Sequence, residues 1–456
     1  MLDLQLDVPA GGGRREALET ALRRSIRSGR LAPGAAIPST RSLATDLGVS
    51  RSTVVAAYDQ LVAEGYLSAA RGSATRVASL RSPTTPDEDD DLFGPTPLHD
   101  FRPGEPAAGS FPRSRWLRSV RRVLNDAPDA TLGYADPRGI DELRSALADH
   151  LRRTRTVVAS RQAVHVVGGY GAGLGFLAET LRRRGVRRIA IEDPMLPMHV
   201  HTLRSAGLET VPIPLDADGI DVDLLCAADV AAVVVTPAHQ YPTAITMSPR
   251  RRTEIIGWAR DRDAWIIEDD YDGEFRYDRR PIGSLQGLGP DRVVYGGTVS
   301  KSLSPALRLG WLVVPEPLRG DLLAVINIRA GVSAVDQLAL ADFLQRGELD
   351  RHVRSMRGVY RRRNDDLRTL LARSAPWLDV GAGEAGLHLI ANLRSAQLDE
   401  ATVLAAADAA SVGLLGLVTH HRSTAAGDGF AIGFSRPAEH HFAAALDRLG
   451  EVLSAL

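Results

Sequence analysis

The chain has 456 residues, of which 44% are hydrophobic and 24% charged, and its 55 Lys and Arg nearly balance its 56 Asp and Glu. Such a composition predicts a soluble globular protein of two or three domains and excludes disordered, collagen-like and coiled-coil chains. No apolar run approaches the roughly 20 residues of a membrane span, and the first residues lack a signal-peptide pattern. We therefore expect a cytoplasmic protein without a membrane partner.

Two residue types occur only once in the sequence. Cys226 can form neither an internal disulfide nor a cysteine metal cage, and its setting DVDLLCAADV favours a small buried apolar residue over a reactive thiol. Lys301 is the single lysine among 54 arginines. Because a primary amine can form a Schiff base with an aldehyde and a guanidinium cannot, Lys301 is a candidate for covalent chemistry.

The first 80 residues carry ten Arg against seven acids and predict three helices. Leu18, Leu22 and Ile26 mark the apolar face of the first helix, which we expect to end at Gly29. The second helix, RSLATDLG, has Ser39 and Thr40 as candidate N-caps and ends at Gly48, and the third follows Ser50. Two short helices joined by a glycine turn are typical of a helix-turn-helix, and YLSAARGSATRVA predicts a hairpin wing. A three-helix dimerisation module is the alternative.

The segment PSTRSLATDLGVSRSTVVAAYDQLVAEGYLSAARGSATRV resembles the winged helix of GntR-type bacterial regulators. In that family the arginine after the Pro-Ser turn, the polar residues that open the third helix and the wing tip contact operator DNA. The resemblance therefore implies double-stranded promoter DNA as a partner, with Arg41, Ser50, Arg51, Thr53, Arg71 and Gly72 as contact residues. Val55 stands where a further basic contact is common, so we expect the base preference of this chain to differ from the usual pattern.

Residues 81–97 join an acidic run to several prolines, which predicts a solvated linker between a winged helix at 1–80 and a second domain at 98–456. In that domain RRIAIED, AAVVVTP, AWIIEDD and RVVYGGT are short apolar runs separated by helical stretches such as RRRTEIIGWARDRD. This alternation predicts an α/β fold with a mainly parallel sheet that is covered on both faces. Ligands of such folds bind at the carboxyl ends of the strands.

Several chemically active residues follow those strands. Lys301 comes just after RVVYGGT, with Arg308 seven residues beyond, and Asp269 ends AWIIEDD. An amine for an aldehyde, an arginine for a phosphate and a carboxylate for a pyridine nitrogen together predict a pyridoxal phosphate site. The glycines around Tyr170 follow the apolar run AVHVV and precede a helical stretch, which is a typical phosphate-binding arrangement.

The motifs LGYADPRGIDELRSALADHL, HQYPT, EDDYDGEFRY, PIGSLQG and YGGTVSKSLSPALRLGWLVVP resemble the MocR subfamily of GntR regulators. The resemblance implies a winged helix-turn-helix fused to a fold-type-I aminotransferase-like domain, pyridoxal 5'-phosphate held by Lys301 as a Schiff base, and a head-to-tail homodimer. It also implies the cofactor-binding set, in which Asp269 faces the pyridine nitrogen and Tyr271 the phenolic oxygen. Its other members are Thr298, Arg308, Gly169, Tyr170 and Gly171 near the phosphate, Tyr134 at the partner's phosphate, and Tyr241.

This sequence departs from the family pattern at three places. Leu196 replaces an aromatic residue near the cofactor ring, and Ala244 replaces a glycine in HQYPTA. Ala431, in FAIGFSRP, stands where aminotransferase-like domains carry the arginine that binds a substrate carboxylate. Arg422 and Arg436 are near in sequence but off the pattern, and we expect His420 and His421 to be solvated loop residues.

These observations favour a transcription regulator that depends on pyridoxal phosphate, and within that class one that senses the cofactor itself and controls vitamin B6 supply. The missing carboxylate arginine motivates that choice. Two alternatives stay open. The first is a regulator that senses an amino acid or a small amine through the cofactor. The second is a working aminotransferase with an accessory DNA-binding headpiece.

Overall fold

The computed structural model describes residues 13–27, 30–69, 74–78, 96–277, 282–327, 331–381, 383–394, 398–421 and 429–456. The chain divides into two compact units, Met1–Gly94 and Pro95–Leu456. Most of the predicted linker lies outside the described residues.

The smaller unit contains three helices and a two-stranded antiparallel sheet in its described part. These elements are α1 Arg14–Arg27, α2 Thr40–Leu47, α3 Arg51–Ala63, β1 Leu67–Ser68 and β2 Arg76–Val77. The predicted apolar face of α1 is confirmed, because Leu18, Leu22 and Ile26 are buried against α2, α3 and the sheet. The unit is therefore a helix-turn-helix with a small wing.

Local signals set the turn between α2 and α3. The Ser39 hydroxyl accepts a hydrogen bond from the Ser42 amide at 3.1 Å and caps α2, and Ser50 caps α3 by accepting from the Thr53 amide at 3.1 Å. Gly48 ends α2 with φ of 61°, a left-handed conformation that glycine adopts at little cost. Helix α2 therefore begins and ends, and helix α3 begins, where their capping residues predict.

The larger unit combines an eight-stranded sheet with helices and two smaller sheets. Its described helices are α4 Arg113–Asp126, α5 Asp141–Arg155, α6 Tyr170–Arg183, α7 Pro197–Ser205, α8 Val222–Ala227, α9 Pro249–Asp261, α10 Glu316–Ile326, α11 Ala334–Gln345, α12 Glu348–Ser374, α13 Glu400–Ala409 and α14 Phe442–Ser454. Its described strands are β3 His99–Asp100, β4 Val164–Val167, β5 Arg188–Asp193, β6 Glu209–Asp216, β7 Gly219–Ile220, β8 Ala232–Val235, β9 Trp265–Asp270, β10 Val293–Thr298, β11 Gly310–Val313, β12 Leu378–Val380, β13 His388–Leu393, β14 Val412–Gly413, β15 Leu415–Gly416 and β16 Gly429–Gly433.

The strand order of the large sheet is β4-β11-β10-β9-β8-β5-β6-β7. Strands β10, β9, β8, β5 and β6 run parallel, whereas β11 is antiparallel to both of its neighbours. Helices α6, α7 and α10 cover one face and α8 and α9 the other, so the core strands are apolar on both sides. The predicted mainly parallel sheet is confirmed, and the carboxyl ends of the four predicted strands meet at one edge.

The two smaller sheets bring distant segments to that edge. Strands β12, β13, β16 and β15 form an antiparallel sheet that contains Ala431, and β3 pairs with β14. The segment after β3, which begins at Phe101, also accepts a backbone hydrogen bond from Gly433 at the end of β16. Residues near position 104 therefore lie close to residues near position 436.

The prediction for Cys226 is wrong, because this cysteine is exposed. It lies at the end of α8, a helix of only six residues whose buried side is formed by Val222 and Leu225. Because Cys226 follows Leu225 by one position, its side chain lies about 100° away around the helix and faces solvent. In so short a helix the apolar run LLCAA did not define which face is buried.

Ala244, the residue that replaces the usual glycine, has φ of 61°. For a residue with a Cβ this left-handed conformation costs roughly 1–2 kcal/mol. Glycine avoids that cost, but its unfolded chain has more conformational entropy, which offsets part of the gain in stability. We expect Ala244→Gly to raise the free energy of unfolding by about 1 kcal/mol in chemical denaturation. The control is Ala405→Gly on the exposed side of α13, which should lower it by about the same amount. A loss of stability in Ala244→Gly would contradict this account.

Candidate functional site

A cavity of about 550 Å³ opens at the carboxyl edge of the large sheet. Nine of the ten residues predicted to bind the cofactor line it, namely Gly169, Tyr170, Gly171, Tyr241, Asp269, Tyr271, Thr298, Lys301 and Arg308. Tyr134 does not; it is fully exposed and lines a separate cavity, which also contains Arg308.

Lys301 follows β10 by three residues and its side chain is half-buried, with Nζ donating a hydrogen bond to the carbonyl oxygen of Gly104. Burial lowers the pKa of the Lys301 amine, and the nearby Asp269 partly opposes that shift. A lowered pKa increases the fraction of neutral amine, which is the form that attacks an aldehyde.

Asp269 is buried at the end of β9 and lines the same cavity as Lys301. Its Oδ1 atom has no hydrogen-bond partner among the described residues. Burial and the adjacent Asp270 raise the pKa of the Asp269 carboxyl well above its usual value. A buried carboxylate without a donor is costly, so the site suits a ligand that brings a positively charged N–H group.

His199 on α7 is a cavity residue that the sequence did not reveal. Its Nδ1 lies 3.9 Å from Asp269 Oδ2 and its ring centre 5.2 Å from that of Tyr170. Burial, together with the positive charge of Lys301, lowers the pKa of His199 to about 4. At neutral pH the imidazole is therefore uncharged and does not neutralise Asp269.

A second group of lining residues is suited to an anion. Helix α6 begins at Tyr170 after Gly169, whose φ of 97° is accessible to glycine, and the first amides of a helix have no partner within it. The Thr298 hydroxyl donates to the Leu309 carbonyl at 3.0 Å, which fixes the loop next to Arg308. The Arg308 side chain forms no ion pair within the described part of the chain and is free for a phosphate.

Tyr271 and Tyr241 also line the cavity. The Tyr271 hydroxyl lies 3.0 Å from His239 Nδ1, and the same nitrogen lies 2.9 Å from Asp272 Oδ2. Burial and the charge of Asp272 raise the pKa of Tyr271 well above its usual value, so the phenol keeps its proton. The Tyr241 ring packs edge-on at 6.1 Å from Tyr271, and both residues line the cavity together with Lys301 and Asp269.

Comparison with known proteins places both units in families. Residues 14–77 match the model of bacterial regulatory proteins of the gntR family, and residues 107–421 match that of class I and II aminotransferases. The HTH-type pyridoxine biosynthesis transcriptional regulator PdxR of Corynebacterium glutamicum is 35% identical over 379 residues, 82% of this chain and 82% of that protein. The probable rhizopine catabolism regulatory protein MocR of Rhizobium meliloti is 35% identical over 424 residues, 88% of this chain and 85% of that protein. This chain is a MocR-type transcription regulator of the GntR family.

Solved structures show the same aminotransferase fold in this MocR-type regulator. An archaeal alanine:glyoxylate aminotransferase superposes with a TM-score of 0.72 at 22% identity, over 80% of this chain and 92% of that one. The Pyrococcus horikoshii kynurenine aminotransferase, solved with PMP, gives a TM-score of 0.71 at 22% identity, over 82% and 95%. No helix in the described ranges is long and apolar enough to cross a membrane.

Four of the six predicted DNA contacts of the regulator lie among the described residues, at the starts of α2 and α3. Arg41 and Arg51, at the starts of α2 and α3, are exposed and form no ion pair with the residues described. The Ser50 hydroxyl caps α3 and also lies 2.7 Å from the Thr53 hydroxyl, so these two residues shape the start of the helix. Arg71 and Gly72 lie outside the described residues.

The prediction that His420 is solvated is wrong. His420 is 3% exposed, its ring centre lies 5.6 Å from that of Tyr241, and its carbonyl accepts from the Met195 amide. The Glu400 carboxylate accepts hydrogen bonds from the Leu417 and Val418 amides and holds this turn against the core. The polar, loop-like sequence gave no sign of that contact, because Glu400 lies on α13. His421 is half-buried, with Nδ1 3.9 Å from Asp193 Oδ1.

The structure describes Ala431 and one of the two arginines that are near it in sequence. Ala431 is fully buried within β16 among Ile390 and Leu417, so that position offers no cation. Arg436, five residues later, lines the cavity, while Arg422 lies outside the described residues. Glu105 lines the cavity as well, in a segment without periodic pattern that the sequence did not single out.

Proposed function

We propose that this MocR-type regulator binds pyridoxal 5'-phosphate in the cavity of Lys301, senses the cofactor itself and controls vitamin B6 supply. The observation that carries the proposal is a buried Asp269 carboxylate oxygen without a donor, in the same cavity as the desolvated Lys301 amine and the free Arg308 guanidinium. These three groups match a ring nitrogen, an aldehyde and a phosphate. One relative is named as a regulator of pyridoxine biosynthesis, which also supports the proposal.

The residues present fit this cofactor. Bound there, pyridoxal phosphate supplies an aldehyde and an electron-withdrawing ring. Lys301 would hold the cofactor at its aldehyde carbon, and the Asp269 carboxylate would accept a hydrogen bond from the ring nitrogen. Arg308, Thr298 and the first amides of α6, from Tyr170 and Gly171 after Gly169, would hold the phosphate. Tyr271 and Tyr241 would line the side of the ring that carries the phenolic oxygen.

The partners we propose are promoter DNA, bound by a head-to-tail homodimer, and the cofactor. Arg41 and Arg51 would contact phosphates and base edges from α2 and α3, with Ser50 and Thr53 setting the start of α3 and Arg71 and Gly72 at the wing. The exposed Tyr134 would reach the phosphate in the partner subunit. Cofactor binding and DNA binding are then coupled, so that each changes the affinity of the other.

The test measures binding of the purified protein to the promoter fragment of its own gene and to random DNA, with and without pyridoxal phosphate. We expect the promoter to be preferred and added cofactor to change its affinity several-fold. The loaded protein should absorb visible light, and Lys301→Ala should lose both this band and the effect of the cofactor. Equal retention of both DNAs, or a cofactor effect that survives in Lys301→Ala, would overturn the proposal.

An aminotransferase activity is the second candidate, favoured by the fold shared with solved aminotransferases. Lys301 and Asp269 would serve either function. The buried Ala431 removes the usual carboxylate anchor, which an enzyme acting on amino acids needs in every cycle. Sustained turnover with an amino donor and a keto acid would establish the enzyme, whereas a single slow half-reaction would leave the regulator as proposed.

For the headpiece, we expect Arg51→Ala to weaken promoter binding about tenfold and to lower the slope of log affinity against log salt by about one. The reason is that Arg51 is an exposed cation without an internal ion pair in the described part of α3 and its surroundings. Arg23→Ala is the matched control, because Arg23 donates to Glu64 at 2.7 Å and should leave the slope unchanged. Fluorescence anisotropy at several salt concentrations measures both.

A further inference from the structure

The only arginine that lines the Lys301 cavity besides Arg308, within the described residues, is Arg436. It follows β16 and is largely buried, with 24% of its side chain exposed. Lys301 Nζ donates to the carbonyl of Gly104, the residue just before Glu105, and Glu105 lines the same cavity. Arg436 and Glu105 therefore flank the place where an amine would meet Lys301.

Both terminal nitrogens of the Arg436 guanidinium already contact carboxylates. Nη1 is bonded to Asp100 Oδ2, and Nη2 lies 2.8 Å from Glu105 Oε1. The remaining nitrogen, Nε, is buried and has no partner in the described part of the protein. A guanidinium binds an incoming carboxylate through N–H groups on two adjacent nitrogens, and here Nε is the one nitrogen not already paired with a carboxylate of the described residues.

The two carboxylates are held very differently. Asp100 is buried and also accepts from Arg102 Nε at 2.9 Å, Arg102 Nη2 at 2.8 Å and the Arg102 amide at 3.0 Å, so it is part of the folded framework. The Glu105 carboxylate is 52% exposed and has Arg436 as its one ion-pair partner among the described residues. The backbone of Glu105 is held separately, because its carbonyl accepts from the Ser435 hydroxyl at 2.6 Å. The Glu105 side chain can therefore be removed without releasing the segment.

The charges of this cluster cancel. Asp100 and Glu105 are two negative charges, and Arg102 and Arg436 are two positive charges, so the cluster has no net charge with which to attract a carboxylate. An amino acid that displaced Glu105 would have to break an existing charge-assisted hydrogen bond to form an equivalent one. A ligand without a carboxylate meets no such cost.

We propose that Glu105 is a specificity residue that closes Arg436 to carboxylates, so that the cavity admits pyridoxal phosphate or simple amines and discriminates against amino acids. The inference rests on the proposed function, since it concerns ligands that reach the cofactor. It also gives a physical reason for cofactor sensing, because Arg436, which lines the cavity, is already paired with two carboxylates.

The test compares L-alanine with ethylamine, which has a similar skeleton without the carboxylate, in absorbance titrations of the cofactor-loaded protein. We expect Glu105→Ala to tighten L-alanine binding at least tenfold over the wild type and to change the ethylamine response less than twofold. In Glu105→Ala/Arg436→Met the gain for L-alanine should disappear. Glu105→Gln, which keeps the shape and removes the charge, should give a smaller gain in the same direction.

Two results would overturn the inference. One is L-alanine binding that is equal in the wild type and Glu105→Ala, and the other is a gain that survives the loss of Arg436. The visible absorbance of each loaded variant is recorded first. If the wild type shows no such band, the proposed function fails; if the band is present in every variant and L-alanine binding is unchanged, only the role of Glu105 fails.

Discussion

Replacing Arg155 with methionine is expected to lower the free energy of unfolding of the larger unit by about 3–5 kcal/mol. Arg155 and Asp270 form a buried ion pair with exposed fractions of 5% and 2%, joined by two hydrogen bonds of 2.6 and 2.8 Å. Arg155 also donates to the carbonyls of Gly273 and Ile282, and Asp270 accepts from the Tyr295 hydroxyl at 2.7 Å. Removing the guanidinium leaves Asp270 buried without its counter-charge, next to Asp269.

Two controls separate this effect from loss of packing. Arg155→Met/Asp270→Asn removes both charges and should recover a large part of the lost stability, because the cost lies in the uncompensated carboxylate. Arg260→Met breaks the exposed pair with Asp291 and should cost less than about 1 kcal/mol. All five tryptophans lie beyond residue 95, so tryptophan fluorescence in chemical denaturation reports the larger unit. A loss below about 1 kcal/mol in Arg155→Met would contradict the expectation.

The headpiece was predictable because its signals are local. Ser39, Gly48 and Ser50 act on residues within one helical turn of themselves, and the spacing of Leu18 and Leu22 reports a single buried face. The four central strands were predictable for a similar reason. Strands covered on both faces are continuously apolar, and their polar ends then mark the edge at which Asp269 and Lys301 meet.

The rest of the site depends on contacts between distant segments. Glu105 reaches the cavity because the segment after β3 lies along β16, and His199 does so because α7 packs beneath the sheet edge. Neither has a sequence pattern of its own. A distant contact also explains why His420 is buried. Its polar neighbours in sequence predicted an exposed side chain, but Glu400 on α13 holds the turn in the core. For Cys226 the helix was too short for its apolar pattern to define a face.

Replacing Asp269 with asparagine is expected to have opposite effects on cofactor binding and on the stability of the cofactor-free protein. The carboxylate would be the charged acceptor for the ring nitrogen, and losing one partner of a buried charged pair costs about 3 kcal/mol, a factor of roughly 100 in affinity. Without cofactor the same carboxylate is buried, lacks a donor at Oδ1 and lies next to Asp270. The neutral amide should therefore raise the free energy of unfolding of the cofactor-free protein.

The pH dependence tests the physical cause. Burial raises the pKa of Asp269 in the folded protein, so its contribution to stability is fully present below the unfolded pKa of about 4 and is lost as pH rises through the folded value. The difference in stability between Asp269→Asn and wild type should therefore grow with pH above about 4. Glu268, whose pKa burial raises to about 7, titrates with the same sign in both proteins, so its own contribution cancels from that difference. If Asp269→Asn and wild type were equally stable at every pH and bound the cofactor with the same affinity, the proposed role of Asp269 would be wrong.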